Sequence, residues 1–314
     1  MRKFIRSIFK FIFFIIIFYI GFIIVWGDFS PLKKNLNYKI GAGGHTFTRL
    51  NDLKSVKDID VLFLGSSHTY RGFDTRIFEE AGFKAFNMGT NSQTPIQTEF
   101  LLDKYLDSLN PKVVIFEVCP FVFSLDGVES TLEFISNRKI DIETIKLALK
   151  QNHLKIYNTL IYSMYRELVH HDKANFSEGR KRQNDVYIDG GFVEIKLIYY
   201  KHENFESKKW IYSQVLFESF QRIVKELNKR DIAIIFVQAP VTSDLYNSYE
   251  NNKDFDNEMI KYGTYYNFNE ILNLNDTLHF FDFHHLNKNG IEIFNKEIVN
   301  IIDQTDIISF QGKK

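Results

Sequence analysis

Three side chains of this 314-residue sequence have the chemical types that serine-dependent acyl transfer requires. Ser67 lies in a Gly-Ser-Ser-His turn after an apolar run, and Asp282 and His285 lie close together near the C-terminal end. A serine hydroxyl becomes a good nucleophile when an imidazole accepts its proton and a carboxylate holds that imidazole in the correct tautomer. We therefore predict that Ser67 is a nucleophile, that His285 is its general base and that Asp282 orients His285.

The same chemistry needs hydrogen-bond donors for the oxyanion that forms at the reacting carbonyl. Ser67 lies between a predicted strand and a helix, where backbone N–H groups are exposed, and Gly89 follows the second predicted strand. We expect the N–H groups of Ser67 and Gly89 to form the oxyanion hole, with Asn91 as a further candidate donor. The alternative is a purely structural role, in which Ser67 caps a helix and Asp282 and His285 form a capping pair at the last helix.

Further polar side chains flank these positions. His68 follows the candidate nucleophile, Glu117 ends the third predicted strand and His284 precedes the candidate base. We expect these three side chains to line the substrate site. A zinc site is an alternative, because imidazole and carboxylate are zinc ligands. Its candidate ligands are His279, Asp282, His284 and His285. Because they all lie in one short segment, we predict no metal and no cofactor.

Residues so far apart in the chain need a scaffold that brings them together. Four apolar runs predict strands, at residues 59–64, 84–89, 113–118 and 232–237. Helical spacing at residues 94–109, 207–227 and 287–302 alternates with them. This alternation predicts an α/β fold, a three-layer parallel sheet with helices on both faces. Ligands bind at the carboxyl ends of the strands in such sheets, where the candidate residues lie.

The N-terminal segment predicts a membrane anchor. Four basic residues precede an uncharged apolar run at residues 11–26, which approaches the length that crosses a bilayer. Basic residues before the run favour a cytoplasmic N-terminus and an extracytoplasmic remainder of the chain. A cleaved signal peptide is the alternative, although residues 25–28 lack a small-x-small cleavage site.

These features divide the chain into three parts. Residues 1–28 are predicted to form a cytoplasmic tip and transmembrane helix, and residues 29–57 a juxtamembrane connector. Residues 58–314 are predicted to form the α/β domain, with a helical insertion at about 140–200 that we interpret as a lid. The 39 basic and 39 acidic residues balance, which argues against nucleic-acid binding. The single cysteine, Cys119, excludes an intramolecular disulfide.

Three short blocks resemble those of the SGNH (GDSL-like) hydrolase superfamily. Residues 64–68, Leu-Gly-Ser-Ser-His, are similar to its first block, with Ser67 as the nucleophile. Residues 87–89, Asn-Met-Gly, are similar to its second block, and residues 282–285, Asp-Phe-His-His, to its last. The resemblance covers about residues 58–302. It implies a flavodoxin-like sheet of the SGNH-hydrolase type, with the Gly89 N–H in the oxyanion hole.

The third block departs from the family pattern. Many members carry Gly-x-Asn-Asp there, and the Asn side chain donates to the oxyanion. Here the third strand ends in Glu-Val-Cys-Pro at residues 117–120, without an Asn. Loss of one such donor typically costs about 10² to 10³ in rate, unless Asn91 or a backbone N–H replaces it.

The anchor and the Gly-Ser-Ser turn together look most similar to membrane-bound members of the superfamily, relatives of alginate O-acetylation and teichoic-acid D-alanylation proteins. The resemblance implies transfer or hydrolysis of a small acyl group, such as acetyl, on an envelope or exported glycan. It implies a bacterial cell membrane location, with the domain periplasmic or at the cell surface, and a multi-pass membrane acyltransferase as partner. The alternatives are a catalytically inactive scaffold that binds glycan or a partner, and an esterase that degrades host or dietary polymers.

Overall fold

The computed structural model describes residues 1–30 and 36–305. The helices are α1 (Arg2–Phe29), α2 (Thr46–Asp52), α3 (Ser67–Gly72), α4 (Thr75–Glu80), α5 (Pro95–Leu109), α6 (Val128–Asn137), α7 (Ile142–Gln151), α8 (Leu154–His170), α9 (Asp172–Asn175), α10 (Gln214–Lys229), α11 (Ser243–Asn247), α12 (Asn252–Met259), α13 (Phe268–Ile271), α14 (Asp276–His279) and α15 (Lys288–Thr305). The strands are β1 (Val61–Leu64), β2 (Ala85–Asn87), β3 (Val113–Glu117), β4 (Lys181–Arg182), β5 (Asp185–Tyr187), β6 (Val193–Ile195), β7 (Ala233–Gln238) and β8 (Thr264–Asn267). Short 3₁₀ helices occupy Pro120–Phe123 and Ile260–Tyr262.

The central sheet has five parallel strands in the order β2-β1-β3-β7-β8. Alternate side chains of β1 bury on opposite faces: Leu62 and Leu64 pack with α5 and α10, whereas Val61 and Phe63 pack with α4 and α15. Apolar side chains on both faces are what the continuous apolar runs predict. The α/β fold with a parallel sheet is therefore confirmed, and each of the four predicted strands is present.

Strand β8 and the start of helix α10 differ from the sequence-based prediction. Strand β8 was not predicted, because its sequence Thr-Tyr-Tyr-Asn lacks an apolar run and it lies at the sheet edge. Helix α10 begins at Gln214, not at residue 207. The preceding segment is extended, since the Lys208 N–H donates to the Ser248 carbonyl at 2.9 Å.

The segment between β3 and β7 is only partly helical. Helices α6, α7 and α8 pack around a small apolar cluster that includes Ile135, Ala148 and Ile156. They are followed by an antiparallel sheet, β4-β5-β6, which the prediction of a helical insertion missed. This small sheet is held to α3 by two hydrogen bonds of 3.0 Å from the Arg71 guanidinium to Asp185.

The described part of the predicted connector, residues 36–57, packs into the domain. Arg49 on α2 is buried, and its Nε donates to the Gly191 carbonyl at 2.9 Å. Leu50 and Leu53 belong to the core on one face of the sheet. The packed domain therefore begins before residue 58, because these side chains are part of its apolar core.

One helix, α1, is long and apolar enough to span a membrane, judged by length and composition. Its C-terminal end packs on α8, where the hydroxyls of Tyr162 and Tyr165 donate to Asp28 at 2.8 and 2.9 Å. Gly27 permits this approach, since a Cβ there would lie 2.2 Å from the Tyr162 ring. The predicted apolar N-terminal helix is therefore present.

Candidate active site

The turn after β1 presents Ser67 at the start of α3. Gly65 has φ of 143°, and a Cβ there would lie 2.2 Å from the Thr69 hydroxyl, so only glycine fits. The helix is capped by Ser66, whose hydroxyl accepts from the His68 N–H at 3.4 Å. Ser67 is therefore not the cap, and its buried hydroxyl is available for another partner.

That partner is His285, 218 residues away in the chain. The Ser67 hydroxyl lies 2.9 Å from His285 Nε2, and His285 Nδ1 lies 2.8 Å from Asp282 Oδ2. The other carboxylate oxygen of Asp282 accepts the N–H groups of His284 and His285 at 2.9 and 2.8 Å. With Nδ1–H donating to Asp282, Nε2 carries the lone pair that accepts the serine proton. We call Ser67, His285 and Asp282 the Ser67 network.

The alternative capping role of Asp282 and His285 does not match the structure. Helix α15 begins at Lys288, and the Asn287 side chain accepts the N–H groups of Asn289 and Gly290 at 3.0 and 3.3 Å. Asn287 is thus the capping residue, and an Asn as the first residue of the helix predicted at 287–302 is a sequence signal that could have identified it.

Burial sets the protonation of the Ser67 network. Desolvation lowers the pKa of His285 to about 4, partly opposed by its hydrogen bond to Asp282. Burial raises the pKa of Asp282, but the hydrogen bond and charge of His285 outweigh it, so the carboxyl titrates well below its usual range. At neutral pH the imidazole is neutral and the carboxyl ionised, as a general base and its orienting group must be.

A second series of hydrogen-bonded side chains lies beside the Ser67 network. Glu117 is fully buried, and its Oε1 accepts from His68 Nδ1 at 3.3 Å. His68 Nε2 in turn lies 3.0 Å from His284 Nδ1. The second oxygen of Glu117 is buried without a hydrogen-bond partner. We call Glu117, His68 and His284 the Glu117 network; its two imidazoles line a cavity, whereas Glu117 lies behind them.

The candidate oxyanion donors are only partly available. The Gly89 N–H donates to the Asn87 side chain at 3.1 Å, although Gly89 itself packs against the Ser66 carbonyl. Asn91 accepts from the Tyr70 hydroxyl and donates to Glu133 at 3.4 Å. Within residues 1–30 and 36–305, therefore, only the Ser67 N–H among the three candidates lacks a competing hydrogen bond.

The cavity beside the two networks has a volume of about 280 Å³. We call it the aromatic cavity, and its lining is His68, Cys119, Pro120, Phe121, Phe205, Lys208, Trp210, Gln238, Val241, Leu245, Tyr246, Tyr249, Asn252, Phe283 and His284. None of these residues lies in the predicted lid at 140–200, all of which is described. The outer wall is formed instead by residues 205–210 and 241–252, because the extended segment before α10 pairs with the residues after α11.

Three imidazoles, those of His68, His284 and His285, lie close enough to share a metal ion, with candidate ligand atoms within 4.8 Å of one another. Both nitrogens of His68 and of His285 already have hydrogen-bond partners in the two networks. His279, a candidate ligand in the zinc alternative, accepts from the Asn275 N–H at 2.8 Å within its own turn. These contacts fit acid–base networks, and we assign no metal to them.

Comparisons with protein-family models and with curated proteins find no match for this chain. The function of this chain is therefore inferred from the geometry of the site. That geometry combines a hydroxyl, a neutral imidazole and an ionised carboxylate in one hydrogen-bonded sequence beside a cavity.

Proposed function

We propose that this protein catalyses serine-dependent transfer or hydrolysis of an acyl ester on a cell-envelope or exported glycan. The observation that carries the proposal is the Ser67 network, in which contacts of 2.9 and 2.8 Å join the hydroxyl to the imidazole and the imidazole to the carboxylate. These contacts join residues 218 positions apart at the carboxyl edge of a parallel sheet, where ligands bind in this class of fold.

The reaction has two steps, which share one acyl-enzyme on Ser67. Ser67 Oγ attacks the carbonyl carbon of the ester while its proton passes to His285 Nε2. The tetrahedral intermediate then releases the alcohol, which takes that proton, and leaves an acyl ester on Ser67. Water or an acceptor hydroxyl then attacks this ester and gives its proton to His285; the bond between the acyl carbon and Ser67 Oγ breaks, Ser67 Oγ takes that proton, and the acid or new ester leaves. Asp282 holds the imidazole in the tautomer that each step needs.

The strand order supports an SGNH-type fold. Numbered within the sheet alone, the order β2-β1-β3-β7-β8 is 2-1-3-4-5, the flavodoxin-like order. The three blocks that resemble SGNH hydrolases occupy the ends of β1 and β2 and the loop before α15. We therefore propose that the chain is a divergent member of that superfamily.

We also propose that α1 anchors the domain outside the cytoplasm of a bacterium. The basic residues Arg2, Lys3 and Arg6 precede the apolar part of this helix, which favours a cytoplasmic N-terminus. An envelope or exported glycan would meet the site in that orientation, and a multi-pass membrane acyltransferase could supply the acyl group.

The test is covalent labelling of the full-length protein in lipid nanodiscs with a fluorophosphonate. We expect an adduct on Ser67 by peptide mass spectrometry, no adduct at that position in Ser67→Ala, and little adduct in His285→Ala. Ser66→Ala is the matched control, because it removes a neighbouring hydroxyl that only caps α3. An adduct on Ser66 in the wild type would refute the assignment of the nucleophile.

A catalytically inactive scaffold that binds glycan is the second candidate. It is favoured by the hydrogen bonds that occupy the Gly89 N–H and the Asn91 side chain, because an oxyanion hole with a single donor is weak. The same experiment separates the two candidates. Folded wild-type protein that leaves Ser67 unlabelled would support the scaffold, which also predicts that Ser67→Ala preserves the biological role.

A further inference from the structure

The aromatic cavity lies beside the reacting groups of the Ser67 network. His68 directly follows Ser67 on α3. His284 directly precedes His285, and the ring centroids of His284 and His285 lie 3.8 Å apart. His68 and His284 form part of the cavity lining. One end of the cavity therefore lies beside the Ser67 network, and this end contains the two imidazoles.

Much of the cavity wall is apolar. Phe121 packs on the His68 ring at 5.4 Å, and Phe205 packs edge-to-face on Phe283 at 5.7 Å. Val241 and Leu245 add aliphatic surface. This apolar wall favours hydrocarbon, since each buried methylene contributes roughly 0.8 kcal/mol, or about fourfold in affinity.

Several polar groups of the lining already have protein partners. Gln238 Oε1 accepts from the Tyr265 hydroxyl at 2.8 Å. Asn252 accepts from the Trp210 indole at 3.0 Å and donates to the Tyr246 carbonyl at 2.7 Å. A sugar bound against these occupied groups would lose hydrogen bonds to water and regain few of them, which carries a cost for each buried hydroxyl left without a partner.

The remaining lining groups also argue against a strongly polar ligand. Trp210 and Tyr249 stack on each other, with their ring planes inclined by only 4°. Burial raises the pKa of the Cys119 thiol well above its usual range, so this group is neutral. Lys208 lies at the exposed rim, with its ammonium 4.7 Å from the Tyr249 ring.

We infer that the aromatic cavity holds the acyl group of the substrate, and that this group is an apolar chain of several carbons or an aryl group. This inference rests on the proposed function of Ser67. The ester carbonyl would lie at the imidazole end beside Ser67, and the tail would extend towards Leu245. An acetyl group, the expectation from the sequence, would leave most of the 280 Å³ empty, whereas an apolar cavity of about 150 Å³ accommodates a benzene ring.

The test compares labelling rates of Ser67 by methyl, propyl and pentyl fluorophosphonates, with the full chain in nanodiscs. The four extra methylenes from methyl to pentyl should raise the second-order rate constant on the order of 10²-fold. Equal or falling rates along the series, with Ser67 still labelled, would overturn the inference and leave the proposed function standing. Absence of any adduct on Ser67 would instead contradict the proposed function itself.

Variants that fill the cavity test whether it is the source of the chain-length preference. Leu245→Trp and Val241→Phe should each reduce the ratio of the pentyl to the methyl labelling rate at least tenfold, and circular dichroism checks that each variant is folded. Leu149→Trp, the same substitution at an exposed position on α7, is the matched control. A monosaccharide that protects Ser67 from the methyl probe, together with an unchanged chain-length preference in both variants, would assign the cavity to a glycan and refute the inference.

Discussion

The Ser67 network and the Glu117 network are two carboxylate–imidazole chains in one site, and they differ at both ends. The first ends in a hydroxyl, and its carboxylate is 33% exposed and accepts two backbone N–H groups. The second ends in another imidazole, and its carboxylate is 0% exposed with one oxygen unpartnered. A network that ends in a hydroxyl can generate a nucleophile, whereas one that ends in an imidazole can only hold that ring in place.

The hydrogen bonds of the Glu117 network also determine which ring nitrogens of His68 and His284 carry a proton. If Glu117 accepts the Nδ1–H of His68, then His68 Nε2 must accept the Nδ1–H of His284. His284 is neutral, because burial and the neighbouring imidazoles hold its pKa well below the usual range. The Glu117 network thus keeps a neutral ring against His285. We interpret it as a positioning device for the Ser67 network.

The largest effect is expected from removing His285, the general base of the Ser67 network. His285→Ala should lower the rate of Ser67 labelling by about 10⁴-fold or more, because it removes the imidazole nitrogen that lies 2.9 Å from the serine hydroxyl and accepts its proton. Time-resolved mass spectrometry with the fluorophosphonate measures this rate. His170→Ala, at an exposed histidine on α8, is the control, and near-normal labelling of the His285 variant would contradict the assigned base.

The next largest effect is expected from removing the negative charge of Asp282, which orients the imidazole of His285. Asp282→Asn should slow labelling on the order of 10³ to 10⁴-fold, because an amide favours the wrong imidazole tautomer. The same labelling assay applies, with Asp303→Asn at an exposed position on α15 as the control. A loss below tenfold would show that the backbone contacts alone hold the loop and that the carboxylate is dispensable.

A smaller effect is expected from the Glu117 network. His68→Gln removes the contact to His284 and should slow labelling about tenfold, since a misplacement of about 1 Å can cost as much as 10²-fold. Glu117→Gln, which retains an acceptor oxygen, should cost less. Nitrogen-15 NMR should show the Nδ1–H tautomer of His284 in the wild type and its loss in His68→Gln. Loss of labelling equal to that of His285→Ala would mean that His68 takes part in the chemistry.

The smallest effect is the pH dependence near neutrality. Because burial lowers the pKa of His285 to about 4, labelling should stay constant from pH 8 to 5 and halve only near pH 4. A histidine at its ordinary pKa would lose half its activity near pH 6.5. Stability should follow the same sign: the unfolded chain binds a proton that the buried ring excludes, so unfolding becomes easier as pH falls from 6.5 towards 4. A labelling midpoint near pH 6.5 would refute the buried, neutral base.

Much of the scaffold could be predicted from residue pattern alone. The apolar runs of β1, β3 and β7 identified strands buried on both faces, because burial on two faces requires apolar side chains at successive positions. The edge strand β8 has no such pattern, since an edge position tolerates Tyr and Thr. The extended segment before α10 was missed because its pairing with residues 248–251 is a long-range contact that helical spacing cannot reveal.

The sequence by itself determined which chemical groups are present and that an apolar helix precedes an α/β domain. Only the tertiary structure decided the partners of the polar groups: that Ser66 and Asn287 cap helices, which leaves Ser67 for His285, and that Gly89 donates to Asn87. The physical reason is competition. Several donors and acceptors near each strand end have similar intrinsic strength, and the choice among them depends on distances that are set once the sheet and helices have packed.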